Sequence, residues 1–254
     1  MRVESIGSVA QQLVIDIGNS SAKVALFDGD TLTEQLRVSH EELPLTLRTL
    51  ATYPTIGAAI ISSVIPISEA VEEALQEFPY PCLRMSAQLK MPFDIAYKTP
   101  ATLGPDRLAA VAEACMQQPG RDLLVIDAGT AITYDVVSAE GTYLGGNISP
   151  GIGMRLKALH HFTGKLPLVE KEGERIAIGN TTETAIREGV LQGVDKEIEG
   201  YIHEYTTKHP KLLVFLTGGD AIFLDNRLKN RTFADHLLVI KGLNRVLTLN
   251  NENI

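Results

Sequence analysis

The hydrophobic and polar positions of this chain follow a pattern that occurs twice. The apolar residues 13–15 lead into Asp16, a glycine and small polar residues, and an apolar run follows at 23–27. A run of the same kind leads into Asp127 and returns through residues 132–137. Apolar runs joined by turn-forming residues predict a β-hairpin in each copy. The two Asp residues are 111 positions apart, which suits a duplicated α/β domain.

The remaining pattern predicts further helices and strands. Apolar positions at helical spacing predict helices over residues 41–50, 68–78, 103–116, 152–162 and 181–205. Short apolar runs predict strands at 58–64, 143–148, 212–216 and 237–240. The turn at Pro119-Gly120 places a domain boundary there, so we expect domains over 13–119 and 120–254. Residues 1–12 precede the first predicted strand and receive no assignment.

Composition excludes several classes of function. The 254 residues carry a formal net charge of −8 and no long basic run, which argues against a nucleic-acid partner. No apolar run approaches the length of a membrane span, and residues 1–7 lack the apolar core of a secretory signal. We therefore expect no membrane association and a cytoplasmic location. Cys82 and Cys115 are too far apart for a Cys-x-x-Cys metal site and receive no role.

The two repeated turns suit the binding of phosphate groups. Glycine lets backbone N–H donors approach a polyphosphate closely, and hydroxyl side chains add donors. Asp16 and Asp127, each at the end of a strand, are candidates to hold an accompanying metal ion. One isolated copy would fit an ordinary tight turn equally well, whereas two matching copies favour phosphate binding. We expect the two halves to face each other across a cleft and the turns to converge on one nucleotide.

Six segments taken together resemble the type III pantothenate kinases of the acetate and sugar kinase, Hsp70 and actin superfamily. The segments are Asp16 to Lys23, Ser62 to Pro66, Tyr97 to Arg107, Asp127 to Thr133, Gly145 to Gly151 and Thr217 to Ala221. The resemblance implies two ribonuclease H-like (actin-like ATPase) domains with a nucleotide cleft between them, and a homodimer. It also implies transfer of the γ-phosphoryl group of ATP to the 4′-hydroxyl of pantothenate, the first step of coenzyme A biosynthesis.

The resemblance implies roles for the residues of both turns. The first turn is similar to the family's ATP-phosphate loop, formed here by Asp16, Ile17, Gly18, Asn19, Ser20, Ser21, Ala22 and Lys23. Asp16 would lie near Mg²⁺ or a similar divalent cation, and Lys23 would supply a positive charge. Thr130 resembles an ATP contact, and Asp127 resembles the ligand of a monovalent cation, K⁺ or NH₄⁺. Gly218-Gly219 resembles the turn on the adenosine side.

The resemblance also places pantothenate at Tyr97, Gly104, Pro105, Asp106 and Arg107. Asp106 would be the catalytic base, and Thr182 would be a substrate contact contributed across the dimer. The chemistry is reasonable, because phosphoryl transfer needs a carboxylate that accepts the hydroxyl proton and Arg can bind a carboxylate bidentately. By themselves, Asp106 and Arg107 would equally suit an acidic first helical turn beside a solvated Arg. Thr182 could simply begin a helix after Gly179-Asn180, in a capping role.

Two other functions remain open from the sequence. A binding protein that keeps this fold, such as an accessory factor for transcription, would be expected to lose some of Asp106, Lys23 and Asp127, and all three are present. A kinase or phosphatase acting on a sugar or acetate is disfavoured by the segment from residue 97 to 107. The adjacent His160 and His161 point to different sides of a helix, so surface positions are expected rather than a metal site.

Overall fold

A computed structural model describes residues 10–230 and 232–251. Its strands are β1 (Gln11–Ile17), β2 (Ala22–Asp28), β3 (Thr31–Val38), β4 (Ile56–Ser63), β5 (Cys82–Arg84), β6 (Asp94–Ile95), β7 (Leu123–Ala128), β8 (Ala131–Val137), β9 (Thr142–Pro150), β10 (Leu213–Thr217) and β11 (Phe233–Ala234). Its α-helices are α1 (Leu43–Ala51), α2 (Glu69–Gln76), α3 (Pro105–Gln117), α4 (Ile152–His161), α5 (Thr182–Lys208), α6 (Ala221–Asp225) and α7 (Leu238–Asn251).

The described residues form two compact units. The first comprises residues 10–92, 98–113 and 238–251, and the second comprises 93–97 and 114–237. The predicted domains, 13–119 and 120–254, did not anticipate that the last helix belongs with the first unit. That prediction placed the boundary on a turn signal, whereas the return of α7 depends on contacts with residues far away in the sequence.

The two units contain sheets with the same strand order. The first sheet has the order β3-β2-β1-β4-β5, and the second has the order β11-β10-β7-β8-β9-β6. Read in the opposite direction, the second sheet repeats the first strand for strand, with β6 added at its edge. The parallel and antiparallel pairings match as well. The duplicated α/β organisation predicted from the sequence is confirmed.

The first sheet is covered on both faces. The odd-numbered residues of β1, Leu13, Ile15 and Ile17, pack in an apolar core with residues of α1 and α2. The even-numbered residues face α7, where Thr248 donates a hydrogen bond of 3.1 Å to the Gln12 side chain. Asp16 therefore points to the face that α7 covers, because side chains alternate along a strand.

The second sheet has its own apolar core. Residues of β7, β8 and β10 pack there against the buried faces of α4, α5 and α6. The 27-residue helix α5 was predicted over residues 181–205, and the structure confirms it with a slightly later end. None of the helices in the described part of the chain combines the length and apolar composition that crossing a membrane requires.

Some predicted elements were wrong or incomplete. The strand predicted at 237–240 is instead the start of α7. A short apolar run cannot distinguish a strand from a buried helix, and the spacing of Ile240, Leu243 and Leu247 is helical. The mostly exposed strand β3 was not predicted, because Glu34 interrupts the alternation of its few apolar residues, Leu32, Leu36 and Val38. Of residues 1–12, Gln11 and Gln12 belong to β1, and residues 1–9 lie outside the described residues.

Candidate functional site

The first turn joins β1 to β2 and is closed by its own backbone. The Gly18 N–H donates to the Ser21 carbonyl oxygen at 3.1 Å. A Cβ at position 18 would lie 3.3 Å from that oxygen, so glycine suits the position. Asn19 and Ser20, at the tip, are exposed. The turn therefore presents polar side chains and backbone to a ligand directly after Asp16.

Three polar side chains form a row across the first sheet beside this turn. Asp16 on β1 pairs with Lys23 on β2 and with Ser62 on β4. Residues paired in this way point to the same face of the sheet. Ser62 is buried, and its hydroxyl has no hydrogen bond of normal geometry within the described part of the chain. Its effect on the pKa of Asp16 nevertheless places the hydroxyl close to that carboxyl.

The electrostatics of Asp16 connect this row to the start of α3. Burial raises the pKa of the Asp16 carboxyl above its usual range, and the nearby Asp106 carboxylate raises that pKa further. Lys23 and the Ser62 hydroxyl act in the opposite direction, but the pKa remains raised. The structure therefore brings together four polar side chains that are distant in sequence, those of Asp16, Lys23, Ser62 and Asp106.

Asp106 is held at the first turn of α3. The helix begins at Pro105, and the Asp106 carboxylate accepts a hydrogen bond of 2.8 Å from the Arg107 backbone N–H. A Cβ at Gly104 would lie 2.6 Å from the same carboxylate oxygen, so glycine makes room for it. Arg107 is only 5% exposed, which is inconsistent with the alternative of a solvated Arg.

The second turn, between β7 and β8, lies beside the glycine turn that follows β10. Gly218 has a φ of +97°, and a Cβ there would lie 2.4 Å from the Asp127 carboxylate and from the Ala128 carbonyl oxygen. The Asp220 N–H donates to that carbonyl oxygen at 2.9 Å. Thr130 is exposed at the tip of the second turn. The structure thus brings the Gly218-Gly219 turn directly against Asp127.

The second sheet carries a row equivalent to that in the first. Asp127 on β7 pairs with Thr133 on β8 and with Thr217 on β10. These strands occupy the positions of β1, β2 and β4 in the first sheet. Thr133 is buried, and within residues 10–230 and 232–251 no group hydrogen-bonds its hydroxyl. The position of Lys23 in the first row is thus taken by a neutral hydroxyl in the second.

Tyr97 belongs to the second unit. Its ring lies against Gly145, where a Cβ would be 3.4 Å from the ring edge, and 6.1 Å from the Tyr143 ring between centroids. Gly145 has a φ of +118°, which disfavours any side chain at that position. A glycine on β9 therefore leaves room for the Tyr97 ring.

Thr182 is not the cap of α5. The cap is Thr181, whose hydroxyl accepts a hydrogen bond of 3.1 Å from the Thr184 N–H, and the Thr184 side chain completes a capping box. Thr182 is the first helical residue and is exposed. Thr182 therefore begins α5, as its simpler interpretation expected, but the capping hydroxyl belongs to Thr181.

His160 and His161 are the last two residues of α4. His160 pairs through its Nδ1 with the Leu166 carbonyl oxygen at 2.8 Å, and His161 is exposed. Across the residues that the structure describes, no group of three or more His, Cys, Asp or Glu side chains could hold a metal ion. Mg²⁺ commonly binds through one or two carboxylates together with waters and substrate phosphates, so a single carboxylate in an oxygen-rich row remains a suitable ligand.

Three polar residues of this site received no role from the sequence, namely Ser62, Thr133 and Thr217. Each lies inside a segment that carried the family resemblance. The signal that identifies them is strand register, since each pairs directly with one of the two Asp residues. Register between distant strands is not readable from one sequence.

Comparison with known proteins identifies the family. The sequence model of the family described as type III pantothenate kinase matches residues 12–204, which is more than half of the chain. A type III pantothenate kinase from Bacteroides fragilis is 51% identical over 242 residues, which are 95% of this chain and 99% of that protein. The chain belongs to the type III pantothenate kinase family. The predicted membership of the family is thereby confirmed.

Solved structures support the fold. A protein from Campylobacter jejuni described as a conserved Baf family transcriptional activator is 26% identical, with a TM-score of 0.59, and covers 95% of this chain and 100% of its own. A ROK family glucokinase from Streptomyces griseus, solved with glucose and AMPPNP, has a TM-score of 0.52 at 9% identity and covers 95% and 99%. The second likeness concerns the fold alone. Two ribonuclease H-like units are thus the fold of this kinase family member, as predicted.

Proposed function

We propose that this chain phosphorylates pantothenate on its 4′-hydroxyl with ATP, in the first step of coenzyme A biosynthesis. Membership of a kinase family supports this activity. Within the site, the single observation that supports this activity is that Asp106 lies near Asp16 and Lys23, next to the first turn. A carboxylate beside a phosphate-binding turn is the arrangement that phosphoryl transfer to an alcohol requires.

Asp106 is proposed as the catalytic base. The hydroxyl oxygen of pantothenate attacks the γ-phosphorus, the bond from that phosphorus to the bridging β,γ-oxygen breaks, and the hydroxyl proton passes to the Asp106 carboxylate. The hydrogen bond from the Arg107 N–H to Asp106 supports this role, because it fixes the direction of the carboxylate. The room left by Gly104 supports it as well.

The first turn, from Asp16 through Ile17, Gly18, Asn19, Ser20, Ser21 and Ala22 to Lys23, is proposed to bind the ATP phosphates. Backbone N–H groups and hydroxyls at the turn suit anionic oxygens, and Lys23 adds a positive charge. The oxygen-rich row of Asp16 and Ser62 fits a hard divalent cation such as Mg²⁺, which prefers oxygen ligands. Such a cation, when bound, neutralises charge on the phosphates.

In the second unit, Asp127 is proposed as a ligand of a monovalent cation, K⁺ or NH₄⁺. The buried Thr133 hydroxyl beside it supports this role, because a monovalent cation takes neutral oxygens as well as carboxylates. Thr130 is proposed as an ATP contact, since it is exposed at the tip of the turn. Gly218-Gly219 is proposed to lie on the adenosine side, and its packing on Asp127 is consistent with a shared role.

Tyr97, Gly104, Pro105, Asp106 and Arg107 are proposed to bind pantothenate. Arg107 suits the carboxylate of pantothenate, because a buried guanidinium can bind it bidentately.

Thr182 is proposed as a substrate contact within a homodimer. The exposure of Phe162 and Ile178, at 82% and 86%, supports a dimer, because these apolar side chains flank the segment before Thr182.

The activity is tested with purified protein, ATP, Mg²⁺ and K⁺, and with pantothenate, acetate and glucose as competing acceptors. Phosphorylated pantothenate is the expected product. Asp106→Asn should lower kcat by about 10²- to 10⁴-fold, the usual scale of a lost general base. Asp28→Asn, an exposed Asp of the same unit, is the matched control and should turn over like the parent.

Equal rates for Asp106→Asn and the parent would exclude Asp106 as the base. A folded parent that phosphorylates none of the three acceptors would contradict the proposed activity. That result would favour the alternative of a binding protein, which the likeness to the protein described as a Baf family activator also raises. Replacing K⁺ by Na⁺ should reduce activity, and no change would remove the cation role from Asp127.

A further inference from the structure

An ion pair joins the segment between α4 and α5 to the glycine turn after β10. The Lys171 Nζ lies 2.5 Å from the Asp220 Oδ1. The Asp220 side chain is only 15% exposed and the Lys171 side chain 32%, so the pair is partly shielded from water. The Lys171 Nζ also lies over the Phe223 ring, 5.7 Å from its centroid. No role for Lys171 follows from the proposed mechanism.

Asp220 is fixed to the turn that it follows. Its N–H donates to the Ala128 carbonyl oxygen at 2.9 Å, directly after Asp127 in β7. Gly218 packs so closely on Asp127 and Ala128 that no side chain would fit there. The Asp220 carboxylate therefore adds a negative charge at the place where the Gly218-Gly219 turn is proposed to meet the nucleotide.

Lys171 is also held from its own side. The buried Arg187 of α5 donates hydrogen bonds to the carbonyl oxygens of Glu170, at 3.0 Å, and Glu174, at 3.3 Å. Gly173 lies against the same guanidinium, where a Cβ would be 2.6 Å from the central carbon. The backbone on both sides of Lys171 is thus anchored to α5. With the backbone already fixed, only the rotamer freedom of the Lys171 side chain is lost when its ammonium is directed to Asp220.

We propose that Lys171 is a positioning residue for the nucleotide: it neutralises Asp220 and holds the Gly218-Gly219 turn against Asp127. This inference rests on the proposed function, since it assumes that the turn binds ATP. An uncompensated carboxylate at that turn would disfavour the binding of the negatively charged nucleotide, and the Asp220 side chain would no longer be anchored. Lys171 therefore favours the binding of ATP through Asp220 without itself contacting the reacting atoms.

The test compares Lys171→Met, Asp220→Asn, the double variant and Lys171→Arg. Binding of a fluorescent ATP analogue is measured together with kcat and with KM for ATP and for pantothenate. We expect Lys171→Met to raise Kd and KM for ATP about fivefold to tenfold, with kcat and KM for pantothenate within about twofold. Lys171→Arg should restore most of the affinity, because it keeps the charge. The double variant should bind ATP more tightly than Lys171→Met, because it removes the uncompensated carboxylate.

The matched control is Lys165→Met, an exposed Lys in the same segment. It removes one positive charge without touching Asp220 and should leave nucleotide affinity unchanged. Equal affinities of Lys171→Met and Lys165→Met would overturn the inference. A double variant that binds ATP no more tightly than Lys171→Met would also overturn it, because the uncompensated Asp220 carboxylate would then not be what weakens binding. Thermal denaturation confirms that each variant is folded.

The failure of this inference and that of the proposed function give different results. A parent that binds the ATP analogue but does not phosphorylate pantothenate contradicts the proposed function, while the pattern among the variants still decides the role of Lys171. A parent that phosphorylates pantothenate, with a Lys171→Met variant of unchanged ATP affinity, contradicts the inference alone.

Discussion

Substitution of Gly242 by Ala tests how closely α7 packs on the first unit. Gly242 is buried in α7, and a Cβ there would lie 1.8 Å from the Ala109 carbonyl oxygen of α3. That oxygen belongs to the backbone of a helix and cannot rotate away. Ordinary contact begins at 3.4 Å, so the two helices would have to separate by about 1.6 Å at this point.

The energetic cost follows from this distance. Overpacking of a well-packed interior typically costs about 1–3 kcal/mol, and a clash with backbone belongs at the upper end. Ala is a better helix former than Gly by about 1 kcal/mol, which offsets part of that cost. The net destabilisation is therefore about 2 kcal/mol. For a chain of this size, about 2 kcal/mol lowers Tm by roughly 4–8 °C.

The assay is thermal denaturation followed by circular dichroism, with Gly200→Ala as the matched control. Gly200 lies inside α5, and a Cβ there meets nothing within 4 Å. The same chemical change should therefore raise Tm at Gly200 by roughly 2–4 °C, because only helix propensity acts. A Gly242→Ala variant that unfolds at or above the Tm of the parent would refute the close packing of α7 on α3.

Two further predictions concern titratable groups. The Arg175 guanidinium holds the pKa of Glu188 at about 2, below that of a Glu in the unfolded chain. The ion pair therefore stabilises the fold fully above the unfolded pKa, and this stabilisation is lost as pH falls through about 2. Glu188→Gln should lower Tm at pH 7 by more than at pH 3, and an equal difference at both pH values would contradict the assignment. Burial raises the pKa of the thiols of Cys82 to about 11 and of Cys115 to about 12. Iodoacetamide at pH 8 should alkylate both at least about tenfold more slowly in the folded protein than in denaturant, as mass spectrometry would show, and equal rates would exclude burial of the thiols.

Much of the fold was predictable because its signals are local. The apolar runs before Asp16 and Asp127, with their turns, are contained within about fifteen residues each, and they predicted the duplication correctly. The long helix α5 was predictable for the same reason. The strand predicted at 237–240 was wrong, because four apolar residues carry no periodicity that excludes a helix.

For the candidate site, the sequence predicted which segments contribute residues, but not how those segments come together. The motifs made Asp16, Asp127 and Asp106 candidates but gave no role to the hydroxyls beside two of them, since Ser62 and Thr133 are recognised through strand register and burial. The electrostatic effect of Asp106 on Asp16 joins two positions that are 90 residues apart in the sequence. These features depend on packing between segments that are distant in the sequence, and the pattern of residues in one sequence does not reveal such packing.

The packing of α7 in the first unit has a consequence for co-translational folding. Translation proceeds from the N-terminus at about 5–20 residues per second, and domains that are continuous in sequence can fold as they emerge. Here the face of β1 and β4 that α7 covers stays without its partner until the final stretch of the chain has been synthesised. The first unit, most of which is synthesised first, can therefore complete its packing only after residues 238–251 have been synthesised. A nascent chain that stalls before residue 238 exposes an apolar surface to chaperones and proteases.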